Sequence, residues 1–338
     1  MNYKSFEKLI KDYLNDKNNK LTPLFIEGES GIGKTEIIKQ ISAVCGFNTF
    51  IIQIGTKTLE YFMGLPETDK DSNDEHITKW SAPELVSLVN NSDKPAVVFI
   101  DDFHLSRDEE RKIMFELLTD KTMHGFKLKK DTKIILAANP YSAEYGSTTT
   151  ELPKPIRSRV MKFELNADFE QWKEVSIKKG INSLIISFLT FKNDFFIGEY
   201  GKNGQYPCPR SWWSLSGYIN AGFEMTSELV CAAVGNTASA EFMAYYDIFL
   251  KYERKKPKNW KSLSTYKDKA AFISYLINKA APDIIKKYCI DISQDVSIRP
   301  LMIILWKFMS QSKDPKMLEL FRENFPEEII QEYAISSN

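Results

Sequence analysis

The chain has 338 residues, 43% of them hydrophobic, which is room for two domains with their own cores and a small third. Lysine plus arginine equals aspartate plus glutamate at 45 each, and that balance argues against strong non-specific nucleic-acid affinity, a local basic patch aside. Four scattered cysteines without a C-x-x-C, and three histidines without ligand spacing, point away from a zinc site or a disulfide framework.

Residues 1–7 lack a secretory pattern. The longest apolar stretches, near 184–191 and 300–306, fall far short of a membrane span, so a soluble cytoplasmic protein is expected. Tyr3, Phe6, Leu9, Ile10, Tyr13 and Leu14 recur at helical spacing. A short apolar run at 24–27, opened by Pro23, reads as a strand. Then comes Gly28-Glu29-Ser30-Gly31-Ile32-Gly33-Lys34-Thr35, a G-x-x-x-x-G-K-T phosphate loop followed by Glu36. Glycines there let backbone N–H groups converge on phosphate oxygens. Lys34 is expected on the β- and γ-phosphates and the Thr35 hydroxyl on Mg2+. Ile37, Ile38, Ile41, Val44 and Cys45 mark one face of the following helix, which Gly46 stops.

Further strands are expected at 50–54, 97–101 and 134–138, with helices at 35–45, 81–90 and 107–119 between them. Alternation of this kind predicts an α/β fold, a parallel sheet sandwiched by helices. A last strand-like run, 160–165, closes this domain. The strand at 97–101 ends in Asp101 and Asp102, where a first acid suits Mg2+ and a second can orient or deprotonate the attacking water. Ser106 with Glu109 reads as a capping box opening the next helix. The strand at 134–138 ends in Asn139-Pro140, placing an amide where it could hold a water against a γ-phosphate. Arg157 and Arg159 stand just before the last strand, and arginine spreads positive charge over a transferring phosphoryl group.

From about residue 168 the strand-like runs stop. Helices are expected at 168–179, 181–191, 211–220, 226–234 and 238–251, then, past the charged stretch 251–258, at 266–279, 281–288, 297–310 and 314–322. Arg210 follows Pro209 at a helix start, where the dipole disfavours a cation and an anionic partner would favour it. Trp212 and Trp213 read as core.

These motifs together resemble an AAA+ ATPase, and in particular the MoxR-like, dynein-related branch. Residues 28–35 are similar to its Walker A motif and 97–102 to Walker B; Asn139 falls at sensor 1, Arg159 at the arginine finger with Arg157 beside it, and Arg210 at sensor 2. Residues 62–66 with Trp80 resemble its insert after the second strand, and 121–133 its hairpin before sensor 1. The resemblance implies an AAA+ domain over 1–166, a helical lid over 167–252 and a helical C-terminal extension over 253–338. It implies ATP and Mg2+ as cofactors, a ring oligomer, typically a hexamer, with the finger reaching a neighbour's site, and a protein client remodelled in chaperone-like fashion, often alongside a von Willebrand A domain protein. One departure matters: Walker B in this family ends Asp-Glu, whereas here it ends Asp101-Asp102. A base one methylene short sits farther from the water, and displacements of that order cost roughly 100-fold in rate. Slow hydrolysis, or a nucleotide-gated switch, is therefore an alternative. A nucleic-acid motor or loader is another, less favoured one, using Lys127, Lys129 and Lys130 or the run 254–258. Nothing in the residues distinguishes adenine from guanine.

Overall fold

In the computed structural model the apolar runs lie side by side as parallel strands. The structure describes residues 1–17, 20–140, 152–198, 204–280 and 282–310, and residues 319, 322, 323, 325 and 327. Contacts divide it into two units, Met1–Ala167 and Asp168–Asn338.

The first unit runs α1 (Tyr3–Asn15), β1 (Leu24–Glu27), α2 (Lys34–Val44), β2 (Asn48–Gln53), α3 (Leu59–Met63), β3 (Pro66–Lys70), β4 (His76–Trp80), α4 (Glu84–Asn90), β5 (Ala96–Asp101), α5 (Asp108–Asp120), β6 (Thr122–Met123), β7 (Phe126–Lys127), β8 (Lys133–Ala138), α6 (Lys154–Arg157) and β9 (Met161–Glu164). The main sheet has the order β2-β5-β8-β1-β9, every pair parallel. All six residues of β5 and of β8 are buried, which is why both read as unbroken apolar runs rather than alternating ones. β9 is an edge strand, mostly exposed.

The register matters for function. Glu27 pairs with Ala138, and Ile100 with Leu136, so β1, β5 and β8 end together at one edge of the sheet. β8 stands between the other two. Open parallel sheets bind ligands at such carboxyl ends.

Two small antiparallel hairpins leave this frame. β3 and β4 fill the stretch between α3 and α4, and β3 is exposed along its whole length. β6 and β7 pair Thr122 with Lys127 just before β8. Trp80 of β4 meets His124 edge-on, ring centroids 4.5 Å apart. Phe62 of α3 is fully buried in the core packed on the main sheet.

The capping box falls one residue later than expected. Arg107 is the N-cap of α5, and its backbone N–H donates to Glu110 Oε2 at 2.9 Å. Ser106 is unavailable because its hydroxyl donates to Phe103 O at 2.7 Å and accepts from Arg111 Nε at 2.9 Å.

The second unit is helical: α7 (Phe169–Lys178), α8 (Ser183–Phe191), α9 (Pro209–Asn220), α10 (Ser227–Val234), α11 (Asn236–Arg254), α12 (Tyr266–Lys279), α13 (Pro282–Ser293) and α14 (Arg299–Ser310). α8 is buried from Ser183 to Leu189 and packs against α11, α12 and α14. Phe188 centres an aromatic cluster, 5.6 Å from Trp212, 5.3 Å from Phe242 and 5.6 Å from Tyr245 between centroids. Trp212 is core as expected; Trp213 is half-buried, its Nε1 donating to Ser176 Oγ at 3.1 Å. The helix expected at 314–322 lies, apart from residues 319 and 322, outside the described residues. Among the described residues no helix is long and apolar enough to cross a membrane. Cys45, Cys208, Cys231 and Cys289 form no disulfide.

Candidate active site

The loop joining β1 to α2 takes the shape its glycines permit. Gly31 (φ 78°) and Gly33 (φ 95°) are left-handed, and Gly33 is the N-cap of α2. A Cβ on Gly33 would meet nothing closer than Ile37 Cδ1 at 4.0 Å, so the space above the backbone there is open. Gly28 is glycine for another reason: a Cβ there would strike Leu165 O at 2.7 Å. Its N–H donates to Ala138 O at 3.1 Å, tying the loop to the end of β8. Glu29 and Glu36 are exposed and Ser30 is half-buried, whereas Ile32 is buried. Tyr3 of α1 donates its hydroxyl to Ile32 O at 2.7 Å, a brace that sequence reading treated as plain amphipathic helix.

Lys34 is buried, 7% exposed. Its Nζ donates to Gly28 O at 2.6 Å, Glu29 O at 3.1 Å and Asn139 Oδ1 at 2.9 Å. An ammonium has three protons, and these oxygens match them. Thr35 donates its hydroxyl to Asp101 Oδ2. Asp101 is also buried, and its Oδ1 accepts from the backbone N–H of Asp102 at 3.0 Å. Lys34, Thr35, Asp101 and Asn139, from three separate segments, thus converge at the shared strand edge.

Asp102 has left-handed backbone, φ 54° and ψ 38°. Aspartate tolerates that region better than most side chains. The chain turns there and brings His104 back against Asn139. His104 Nδ1 accepts from the Asn139 backbone N–H at 3.2 Å, and Nε2 lies 3.4 Å from Asn139 Nδ2. Burial pushes the imidazole pKa below its ordinary value; Asp102 opposes this, Lys34 adds to it and Asp101 opposes it. His104 was missed from sequence. Its position, two residues past the second carboxylate, is the signal that could have found it.

The arginines divide. Arg157 is exposed; with His104, Asn139 and Arg111 it lines a cavity of about 300 Å3 at the ends of β1 and β8. Arg159 is not brought to the cluster. Its Nε donates to Thr119 Oγ1 at 2.9 Å and its Nη1 to Pro155 O at 2.7 Å, and its guanidinium lies 5.5 Å from the Phe115 ring. Arg210 belongs to the second unit, exposed at the second position of α9, after Pro209 at the first.

The residues fit a magnesium nucleotide. The loop offers open backbone for phosphate, and the helix N-terminus favours an anion. Among the described residues no cluster of three or more His, Cys, Asp or Glu side chains forms a metal site of its own. Magnesium needs none, since it takes one or two protein oxygens plus phosphates and water.

A parallel sheet with an added strand between the phosphate-loop strand and the carboxylate strand, carrying this cluster, defines a P-loop ATPase of the AAA+ class. Residues 23–160 match the AAA domain of the dynein-related subfamily, so this segment is an AAA+ ATPase domain, of a class that hydrolyses ATP. No curated protein matches it in sequence. Solved structures similar to it include a Thermotoga maritima RuvB variant, 12% identical, covering 81% of this chain and 68% of that one at TM-score 0.37. A Cytophaga hutchinsonii protein described as a presumed ATPase is 14% identical, covering 97% of this chain and 78% of that one, also at TM-score 0.37.

Proposed function

We propose that this AAA+ ATPase couples Mg-ATP binding and hydrolysis, in a ring of like subunits, to remodelling of a protein partner, as MoxR-like proteins do. Residues 28–36 hold the triphosphate, with Lys34 exchanging its present oxygens for β- and γ-phosphate oxygens. Thr35 and Asp101 would hold Mg2+, which would supply charge neutralisation to the phosphoryl group in transfer. Asp102 orients or deprotonates the attacking water, and Asn139 positions it against the γ-phosphate. Arg157 stands at the rim of this site, and Arg210 supplies a lid cation to the nucleotide.

The observation that carries the ring reading is Arg159. Its hydrogen bonds run to α5 and α6, away from its own Lys34 cluster. That placement supports a finger acting on a neighbour. The client reading is supported by the two hairpins, one exposed along a full strand and both meeting at Trp80 and His124. The client is a protein, of which a von Willebrand A domain protein is one candidate. The division of the helical part into a lid (167–252) and an extension (253–338) belongs to the same proposal, as does a hexameric ring in the cytoplasm.

The test is complementation. Arg159→Ala and Lys34→Ala subunits, each inactive alone, are co-assembled and phosphate release is measured. Mixed rings contain sites with an intact P-loop from one subunit and an intact finger from the next, so activity returns. Mixed assemblies that stay inactive at every ratio would sink the trans-acting role.

A further inference from the structure

The order of the strands leaves Asn139 in need of support. It is the first residue past β8, next to Pro140, which has no N–H to donate. Its amide must nevertheless hold one direction, because its Oδ1 faces Lys34 Nζ at 2.9 Å. That contact fixes the amide: the oxygen points at the ammonium, so Nδ2 points the other way, toward His104.

His104 meets Asn139 through two atoms. Nδ1 accepts the backbone N–H at 3.2 Å, which requires an unprotonated Nδ1 and places the ring proton on Nε2. Nε2 and Asn139 Nδ2 are then both donors, so their 3.4 Å approach is packing rather than a second hydrogen bond. A doubly protonated ring would set two donors against two donors. The neutral ring is the one that fits, and its setting, 9% exposed against the residue that follows β8, suits a neutral group.

We propose that His104 is a positioning residue for hydrolysis, its Nδ1 anchoring the Asn139 backbone and thereby holding the Asn139 amide against the phosphate site. This rests on the reading of Asn139 as the group that places the attacking water. In this role His104 acts through Asn139 rather than on the water itself. The left-handed turn at Asp102 is what lets one short segment supply both the carboxylates and this anchor.

The test uses the full chain and Mg-ATP. His104→Phe keeps a planar ring but offers no acceptor. His104→Asn restores one, because an asparagine Oδ1 stands where Nδ1 stands along the side chain. Asn139→Ala is the reference. The expected result is a kcat at least tenfold lower in His104→Phe with KM for ATP within twofold, and recovery to within threefold of the parent in His104→Asn. The double variant His104→Phe, Asn139→Ala should be no slower than Asn139→Ala alone, since both remove one device. Circular dichroism and thermal melting confirm that each variant is folded. If Asn139→Ala turns over as fast as the parent, the reading of Asn139 fails and this proposal with it. If Asn139→Ala is slow while His104→Phe matches the parent, only the role of His104 fails. Additive losses in the double variant, or no recovery in His104→Asn, would also overturn it.

Discussion

Asp102 carries the sharpest tension in the site. In the role proposed for it, its side chain is one methylene shorter than a glutamate, which would leave the carboxylate farther from the attacking water. The structure adds a reason the short residue suits this backbone. Position 102 is left-handed, where aspartate is among the better-tolerated side chains and others cost roughly 1–2 kcal/mol. Asp102→Glu should therefore raise kcat about tenfold, within the range that a misplacement near 1 Å costs. It should also lower the melting temperature by a few degrees, as about 1 kcal/mol does in a chain of this size. A fall in kcat with the fold intact would mean that reach is not what limits Asp102. Much of this site was legible beforehand, because Lys34, Thr35, Asp101 and Asn139 sit in motifs whose spacing is tied to phosphate chemistry. His104 and Tyr3 were not legible. Their roles rest on contacts across 35 and 29 positions of sequence, which no local pattern encodes.

Among the elements, the strands buried on both faces were the easiest to read. Residues 96–100 of β5 and 134–138 of β8 are unbroken Val, Ile, Leu, Phe and Ala runs, as expected of strands buried on both faces. The β3–β4 hairpin had no such signal. Its strands, PETDK and HITKW, are exposed on nearly every residue, so neither alternation nor an apolar run marks them. β2 begins two residues earlier than expected, since Asn48 and Thr49 are polar yet pair with Ala96 and Val97. In the helical unit one polar clamp stands out. Asp295 accepts from Lys269 Nζ at 2.6 Å and Trp260 Nε1 at 2.8 Å, joining α12 to the turn before it and to the turn that follows α13. Burial alone would raise its pKa, but hydrogen bonds from Lys269, Ser297 and Trp260, with the Lys269 charge, hold it at about 2. A depressed carboxylate stabilises the fold fully above its unfolded value near 3.8 and loses that contribution as pH falls through about 2. Solvent screening of this partly exposed pair cuts its contribution to about 1 kcal/mol. Urea unfolding at pH 7 should show Asp295→Asn less stable by about that amount. The gap should close as pH drops from 4 toward 2; a gap that persists at low pH would remove Asp295 as its source.

The whole chain joins a unit whose chemistry is written in its sequence to one whose chemistry is not. The first unit was readable as a parallel sheet with helices on both faces, since strands and helices alternate along it. The strand order was not: nothing in the local sequence says that β8 inserts between β1 and β5, yet that insertion sets Asn139 between Lys34 and the carboxylates. The second unit, Asp168–Asn338, is held by packing around α8 and by aromatic clusters. Apart from Arg210, its residues point to burial rather than chemistry. The central claim is that the loop over 28–35, with Asp101 and Asn139, binds and hydrolyses Mg-ATP. It is tested most directly by phosphate release from Mg-ATP by the purified chain and by Lys34→Ala, with binding of a fluorescent ATP analogue followed in parallel. The account predicts turnover in the parent chain, with turnover, and most or all of the binding, abolished in a folded Lys34→Ala. Equal turnover in the two proteins would contradict it.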